Sequence, residues 1–102
     1  MRIIKRQPLT DFAARWPAAT APLEAWFSLT RKVVWRNFQE VRATFGQTDQ
    51  VKVASGHSVA VFDIGGNKYR LIAAISYPKQ KVYVLRILTH KEYDRMFWRK
   101  QL

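Results

Sequence analysis

The chain has no cysteine among its 102 residues, so no disulfide framework and no thiolate metal site is open to it, and packing has to supply its stability. Glycine and proline number four each, too few for a linker or low-complexity segment. No apolar run exceeds a few residues, and Arg2, Lys5 and Arg6 lead into no signal-peptide core. Nothing targets or spans a membrane, and a reducing cytoplasm is the expected setting. There is no GxxxxGK[ST] or GxGxxG pattern, because Gly65-Gly66 sits in a hairpin, so no nucleotide cofactor is expected. His57 and His90 lack carboxylates at ligand spacing beyond Glu92, which argues against a metal site. Ser55, Ser58 and Ser76 form no nucleophile elbow. Acidic residues are scarce too, seven against eighteen Lys and Arg, for a net charge of +11. A compact body with that charge attracts polyanions, nucleic acid before membrane.

What is present is the profile of one globular domain over residues 1–102, with 48% apolar and 25% charged residues. Met1 to Lys5 reads as a short strand. Leu9, Phe12, Ala13 and Trp16 follow Pro8 at helical spacing that Pro17 ends. A second helix is expected over 18–32, on Leu23, Trp26, Phe27 and Thr30. A third is expected around Phe38, Val41 and Phe45, with Gly46 as its C-terminal cap. From Gln50 to Leu88 the chain is rich in Val, Ile and Tyr between turn signals, which reads as an antiparallel meander. A last helix is expected from Thr89 to about Lys100. The order predicts an α+β domain, a mainly antiparallel sheet with helices on one face and the other face partly open. All four tryptophans are read as core, with stacking on bases the alternative for Trp35 and Trp98 beside their basic neighbours.

No acidic residue lies between Asp63 and Glu92, while Lys68, Arg70, Lys79, Lys81, Arg86 and Lys91 do. Strand alternation puts Lys68 and Arg70 on one face, opposite Tyr69, Leu71, Ala73 and Ile75. The face of Arg86 depends on the 77–80 turn. A four-residue loop pairs 76 with 81 and sends Arg86 to the far face, whereas a three-residue loop brings it beside Arg70. At the last helix Thr89 and Glu92 fit a capping box, and Leu88 with Tyr93 fits the accompanying hydrophobic staple. His90 and Lys91 then occupy the first two helical positions, where phosphate is favoured, and His90 and Tyr93, three apart, share a helix face. An imidazole, a phenol and converging cations are what metal-independent RNA cleavage requires: a base for the 2′-hydroxyl, an acid for the leaving 5′ oxygen and charge for the crowded phosphate.

Two segments, VFDIGGNKYRLIAAISY at 61–77 and THKEYD at 89–94, resemble the HigB branch of the RelE-like toxins, whose typical forms read Val-Phe-Asn-Ile-x-Gly-Asn-x-Tyr-Arg-Leu and Thr-His-x-Glu-Tyr-Asp. The helical half, with WP at 16–17 and LEAWFSLTRKVVW at 23–35, is similar to the same family. The resemblance implies a compact RelE-like fold and an mRNA interferase of a type II toxin–antitoxin pair. Such a toxin cuts message on the ribosome without metal, by 2′-hydroxyl attack that leaves a 2′,3′-cyclic phosphate, and is held by a helix-turn-helix, HigA-like antitoxin. It makes His90 and Tyr93 the catalytic candidates with Arg70 at the phosphate, and Lys68, Lys91 and Arg86 candidate RNA contacts. Asn67, in the hairpin, is a candidate contact whose plainer role is a turn residue tolerating left-handed geometry. One departure concerns position 85, usually arginine in the family and here Leu85, with Arg86 beside it. A four-residue loop would leave Arg86 on the wrong face to replace it. The competing reading is a noncatalytic RNA-binding or ribosome-associated module.

Overall fold

The computed structural model describes residues 1–102. The alternating segment forms four antiparallel strands, β2 (Thr48–Lys52), β3 (Ser58–Ile64), β4 (Tyr69–Ser76) and β5 (Lys81–Thr89), and the amino-terminal strand β1 (Arg2–Ile4) lies parallel to β5 at the sheet edge. The spatial order is β1-β5-β4-β3-β2. Three helices precede the meander: α1 (Gln7–Arg15), α2 (Thr20–Lys32) and α3 (Phe38–Thr44), with a short 3-10 turn at Pro17–Ala19 where proline stops α1. The α+β order expected from the sequence is the one observed.

The two sheet faces differ. On one, Ala60, Phe62, Ile64, Tyr69, Leu71, Ala73 and Val82 meet Leu9, Phe12, Leu23, Trp26, Trp35 and Val41 in a continuous core. Trp26, Trp35 and Phe45 pack on Phe62 with ring centroids 5.4, 6.2 and 5.5 Å away. The other face, expected to be partly open, is partly covered. A smaller cluster of Val53, Val59, Val61 and Ile72 is covered by Trp98.

That cover arises because the expected last helix is two pieces, α4 (His90–Asp94) and α5 (Phe97–Gln101), separated by Met96 in a left-handed conformation with φ 62°. A continuous helix would run past the sheet and leave the indole in solvent. The reversal folds it back, with the Ala54 amide donating to the Arg99 carbonyl at 2.9 Å. Three further expectations fail. Gly46 is not a left-handed cap, since α3 closes through the Phe45 amide donating to the Val41 carbonyl. Lys68 lies in the 65–68 turn rather than in a strand, so alternation does not govern it. Trp16 is 40% exposed, at the C-terminal end of α1, where only one ring face meets Phe12.

Register decides where the cations go. The turn after β4 has the four-residue form, Ser76 pairing with Lys81, yet Arg86 does not go to the far face. A bulge at Leu85 adds one residue to β5, so Ala73 pairs with Val84 but Ile72 pairs with Arg86 and Arg70 with Leu88. Leu85 packs on the small cluster, and Arg86 shares the face of Arg70 and Ile72. The loop is the four-residue alternative, but the face of Arg86 is the one the three-residue alternative gave, reached through the bulge instead.

Candidate active site

The 65–68 turn sets the site's geometry. Gly65, Gly66 and Asn67 have φ of 67°, 62° and 80°, three consecutive left-handed residues that only glycine and, less readily, asparagine accept. A Cβ on Gly65 would meet Tyr69 at 3.4 Å and Pro22 at 3.5 Å, ordinary contact distances, so its backbone conformation and not space is what calls for glycine. This tight turn pairs Ile64 with Tyr69 and so Asp63 with Arg70, placing carboxylate and guanidinium side by side on the small-cluster face.

Arg70 is held from several directions. Its Nε lies 3.1 Å from Asp63 Oδ1, Nη1 donates to the carbonyls of Asn67 at 3.2 Å and Tyr69 at 3.3 Å, and Nη2 donates to Asn67 Oδ1. Asn67 is therefore both the turn residue expected and a support for Arg70. The guanidinium carbon stands 5.4 Å from the centre of the Tyr93 ring, a cation–π contact. Asp49, paired with Val61, adds a second carboxylate to this face.

Tyr93 reaches this face because β5 runs directly into α4. Thr89 and Glu92 form the capping box, Thr89 Oγ1 accepting the Glu92 amide at 3.3 Å and Glu92 accepting the Thr89 amide at 3.0 Å. The His90 amide donates to the Lys68 carbonyl at 3.0 Å, fixing the start of α4 against the hairpin. Tyr93 and Leu88 both pack against the small cluster. Burial, reinforced by Asp49 and Asp63 against the opposing pull of Arg70 and Arg99, pushes the Tyr93 phenol above the usual tyrosine value. At neutral pH it is a hydrogen donor.

The sequence candidates thus fall into two groups. Tyr93, Arg70 and Asn67 form one connected network with Asp63, and Arg86 shares their face. His90 adjoins it through its backbone, but its half-exposed ring pairs with Asp94, Nε2 to Oδ2 at 3.3 Å, and makes no hydrogen bond to Tyr93 or Arg70. Lys68 and Lys91 are exposed, with no carboxylate within 4 Å, and free to meet a phosphate. Beside the network, the turn at Thr44–Thr48 with Asp63, Gly66 and Asn67 lines an open cleft of about 670 Å³. No group of three or more His, Cys, Asp or Glu side chains is gathered as metal ligands would be. No helix is long and apolar enough to cross a membrane.

Sequence reasoning missed Asp63 and Asp94 and, though it read Trp98 as core, the stacking of that ring on Tyr93. The first was available from the 65–68 loop length, which pairs 63 with 70, and the second from its i, i+4 spacing to His90. Nothing in the sequence marks a left-handed Met96, so that stacking had no signal.

A family model for the HigB toxin, RelE-like toxic component of a toxin–antitoxin system, matches residues 19–96. The chain is 32% identical over 94 residues to the mRNA interferase toxin HigB of Escherichia coli (strain K12), covering 92% of this chain and 88% of that one. It is 28% identical over 96 residues to an mRNA interferase HigB of Escherichia coli O6:H1 (strain CFT073), covering 94% and 91%. An mRNA interferase HigB of Shigella flexneri is likewise 32% identical over 94 residues.

Proposed function

This chain belongs to the HigB family, RelE-like toxic components of toxin–antitoxin systems, and from that premise we propose that residues 1–102 are one toxin domain, a cytoplasmic endoribonuclease that cleaves mRNA on the ribosome. The observation that carries the reading is the Tyr93 phenol held over Arg70 on the less-covered sheet face, next to exposed Lys68 and the start of α4. In the proposed reaction His90 accepts the 2′-hydroxyl proton and the oxygen attacks the adjacent phosphorus. Tyr93 gives its proton to the 5′ oxygen as the P–O bond breaks, leaving a 2′,3′-cyclic phosphate and a 5′-hydroxyl. Arg70, braced by Asp63 and Asn67, faces the developing charge on the phosphate without needing to reorganise. Lys68 and Lys91 hold the flanking backbone. Arg86, turned to this face by the bulge, supplies the cation that Leu85 does not. A cognate helix-turn-helix, HigA-like antitoxin would silence the protein, and no metal or cofactor takes part.

The test incubates purified protein with message, with and without ribosomes, in EDTA, and analyses the product ends. Cleavage with cyclic-phosphate ends that His90→Ala plus Tyr93→Phe abolishes is the expected result. RNA binding without any cleavage under either condition would instead establish the noncatalytic RNA-binding reading.

A further inference from the structure

We propose that Trp98 is a positioning residue for Tyr93: α5 is a clamp that folds back and fixes the phenol ring beside Arg70. The proposal rests on the reading of Tyr93 as the proton donor, and it concerns a part of the chain beyond residues 19–96 that the family model matches.

Residues 93 and 98 are five apart, which on a continuous helix places them about 140° apart around the axis, unable to touch face to face. Here their rings stack with centroids 5.2 Å apart and planes 20° apart. The reversal at Met96 makes this possible, in a left-handed backbone conformation that is strained for an L-residue. Burial of an indole left only 3% exposed offsets that strain. The indole N–H is also used, Nε1 donating to the Tyr93 carbonyl at 3.2 Å, so Trp98 grips both the ring and the backbone of the residue it orients. Two bonds fasten the clamp to the end of β2 and the turn that follows it: the Ala54 amide to the Arg99 carbonyl at 2.9 Å, and Arg99 Nη2 to the Lys52 carbonyl at 3.0 Å. A phenol on a five-residue helix would otherwise swing with a frayed end. Rate depends steeply on such placement, since misplacing a reacting group by about 1 Å costs up to about a hundredfold.

The test compares the full-length protein with Trp98→Leu, which keeps an apolar side chain but removes the flat ring and its donor, and with Trp98→Phe, which keeps a ring. Message cleavage is measured alongside the titration of Tyr93, followed by 13C NMR of tyrosine labelled at Cζ and assigned with Tyr93→Phe. Trp98→Leu is expected to lower kcat about tenfold with KM within about twofold, and to move the phenol's titration toward the ordinary tyrosine value. Trp98→Phe restores most of both. Should Trp98→Leu not fold, Arg99→Ala loosens the same clamp and is expected to lower kcat by less, judged on kcat and KM alone because the Arg99 charge itself pulls the Tyr93 phenol down. A folded Trp98→Leu with unchanged kcat, or equal losses in the Leu and Phe variants with the titration unmoved, overturns the proposal. A wild type that cleaves nothing overturns the cleavage reading beneath it, and is told apart from clamp failure, in which the wild type cleaves and the variant matches it.

Discussion

The two faces of the sheet are built from alternate residues of the same strands and end up with opposite characters. On the helix-covered face, Phe62, Leu71 and Ala73 are at most 1% exposed and every large neighbour is apolar. On the other face the intervening positions are the Asp63–Arg70 pair at one end and, beginning where Arg86 lies opposite Ile72, a patch of valines and isoleucine. The helix-covered face provides enough buried area to hold the fold, which frees its partner to carry charge that a core would not tolerate. A substitution should therefore read out as stability on one face and as RNA chemistry on the other.

The largest expected effect is on the first face. Phe62→Ala removes the ring on which Trp26, Trp35 and Phe45 converge and should cost about 3–5 kcal/mol, seen as a large fall in the urea midpoint. Loss of activity there should track loss of fold. On the second face, Lys68→Ala with Lys91→Ala should leave the urea midpoint within about 0.5 kcal/mol while reducing the dependence of log RNA affinity on log salt by about 1.4, two phosphate contacts at about 0.7 each. An unchanged salt slope would move the RNA track elsewhere.

A finer division is tested by Asp63→Asn, which keeps the shape beside Arg70 but removes its counter-charge. Stability should fall by about 1–3 kcal/mol, since the pair is largely buried, while RNA binds more tightly because the guanidinium is less neutralised. Weaker binding would mean that Asp63 orders Arg70 more than it screens it. The smallest effect concerns alkali. Burial raises the Tyr77 and Tyr93 phenols above 10.0, so the folded state holds these protons more tightly than the unfolded state. Their contribution to stability is full below pH about 10 and is lost as pH rises through the raised values. Tyr93→Phe and Tyr77→Phe should each blunt that alkaline loss, measured as urea midpoint against pH.

The contrast also sets how much was legible beforehand. Helices α1 to α3 and the meander follow from apolar spacing and turn residues, because the face they build is governed by burial, which sequence patterning records. The capping box was visible for the same local reason. The second face was not legible in this way. Arg86 depends on a bulge at Leu85, and a single inserted residue that flips register leaves no signature in hydrophobic alternation. Trp98 depends on a left-handed methionine, which local preference argues against and tertiary burial enforces. His90 was read as Tyr93's partner from helical spacing, but its ring finds Asp94 one turn further along. The residues gathered around the phenol are fixed by long-range packing, while the motif that points to them is local.

The most direct test sets two tyrosines of the one sheet-and-helix unit against each other. Tyr69 is buried on the helix-covered face, edge-on to Phe12, and Tyr93 lies on the charged one. Cleavage rates of folded Tyr69→Phe and Tyr93→Phe are measured on the same message. The account predicts near wild-type cleavage for Tyr69→Phe and a fall of about 10²–10⁴ for Tyr93→Phe. Full cleavage by folded Tyr93→Phe would contradict it.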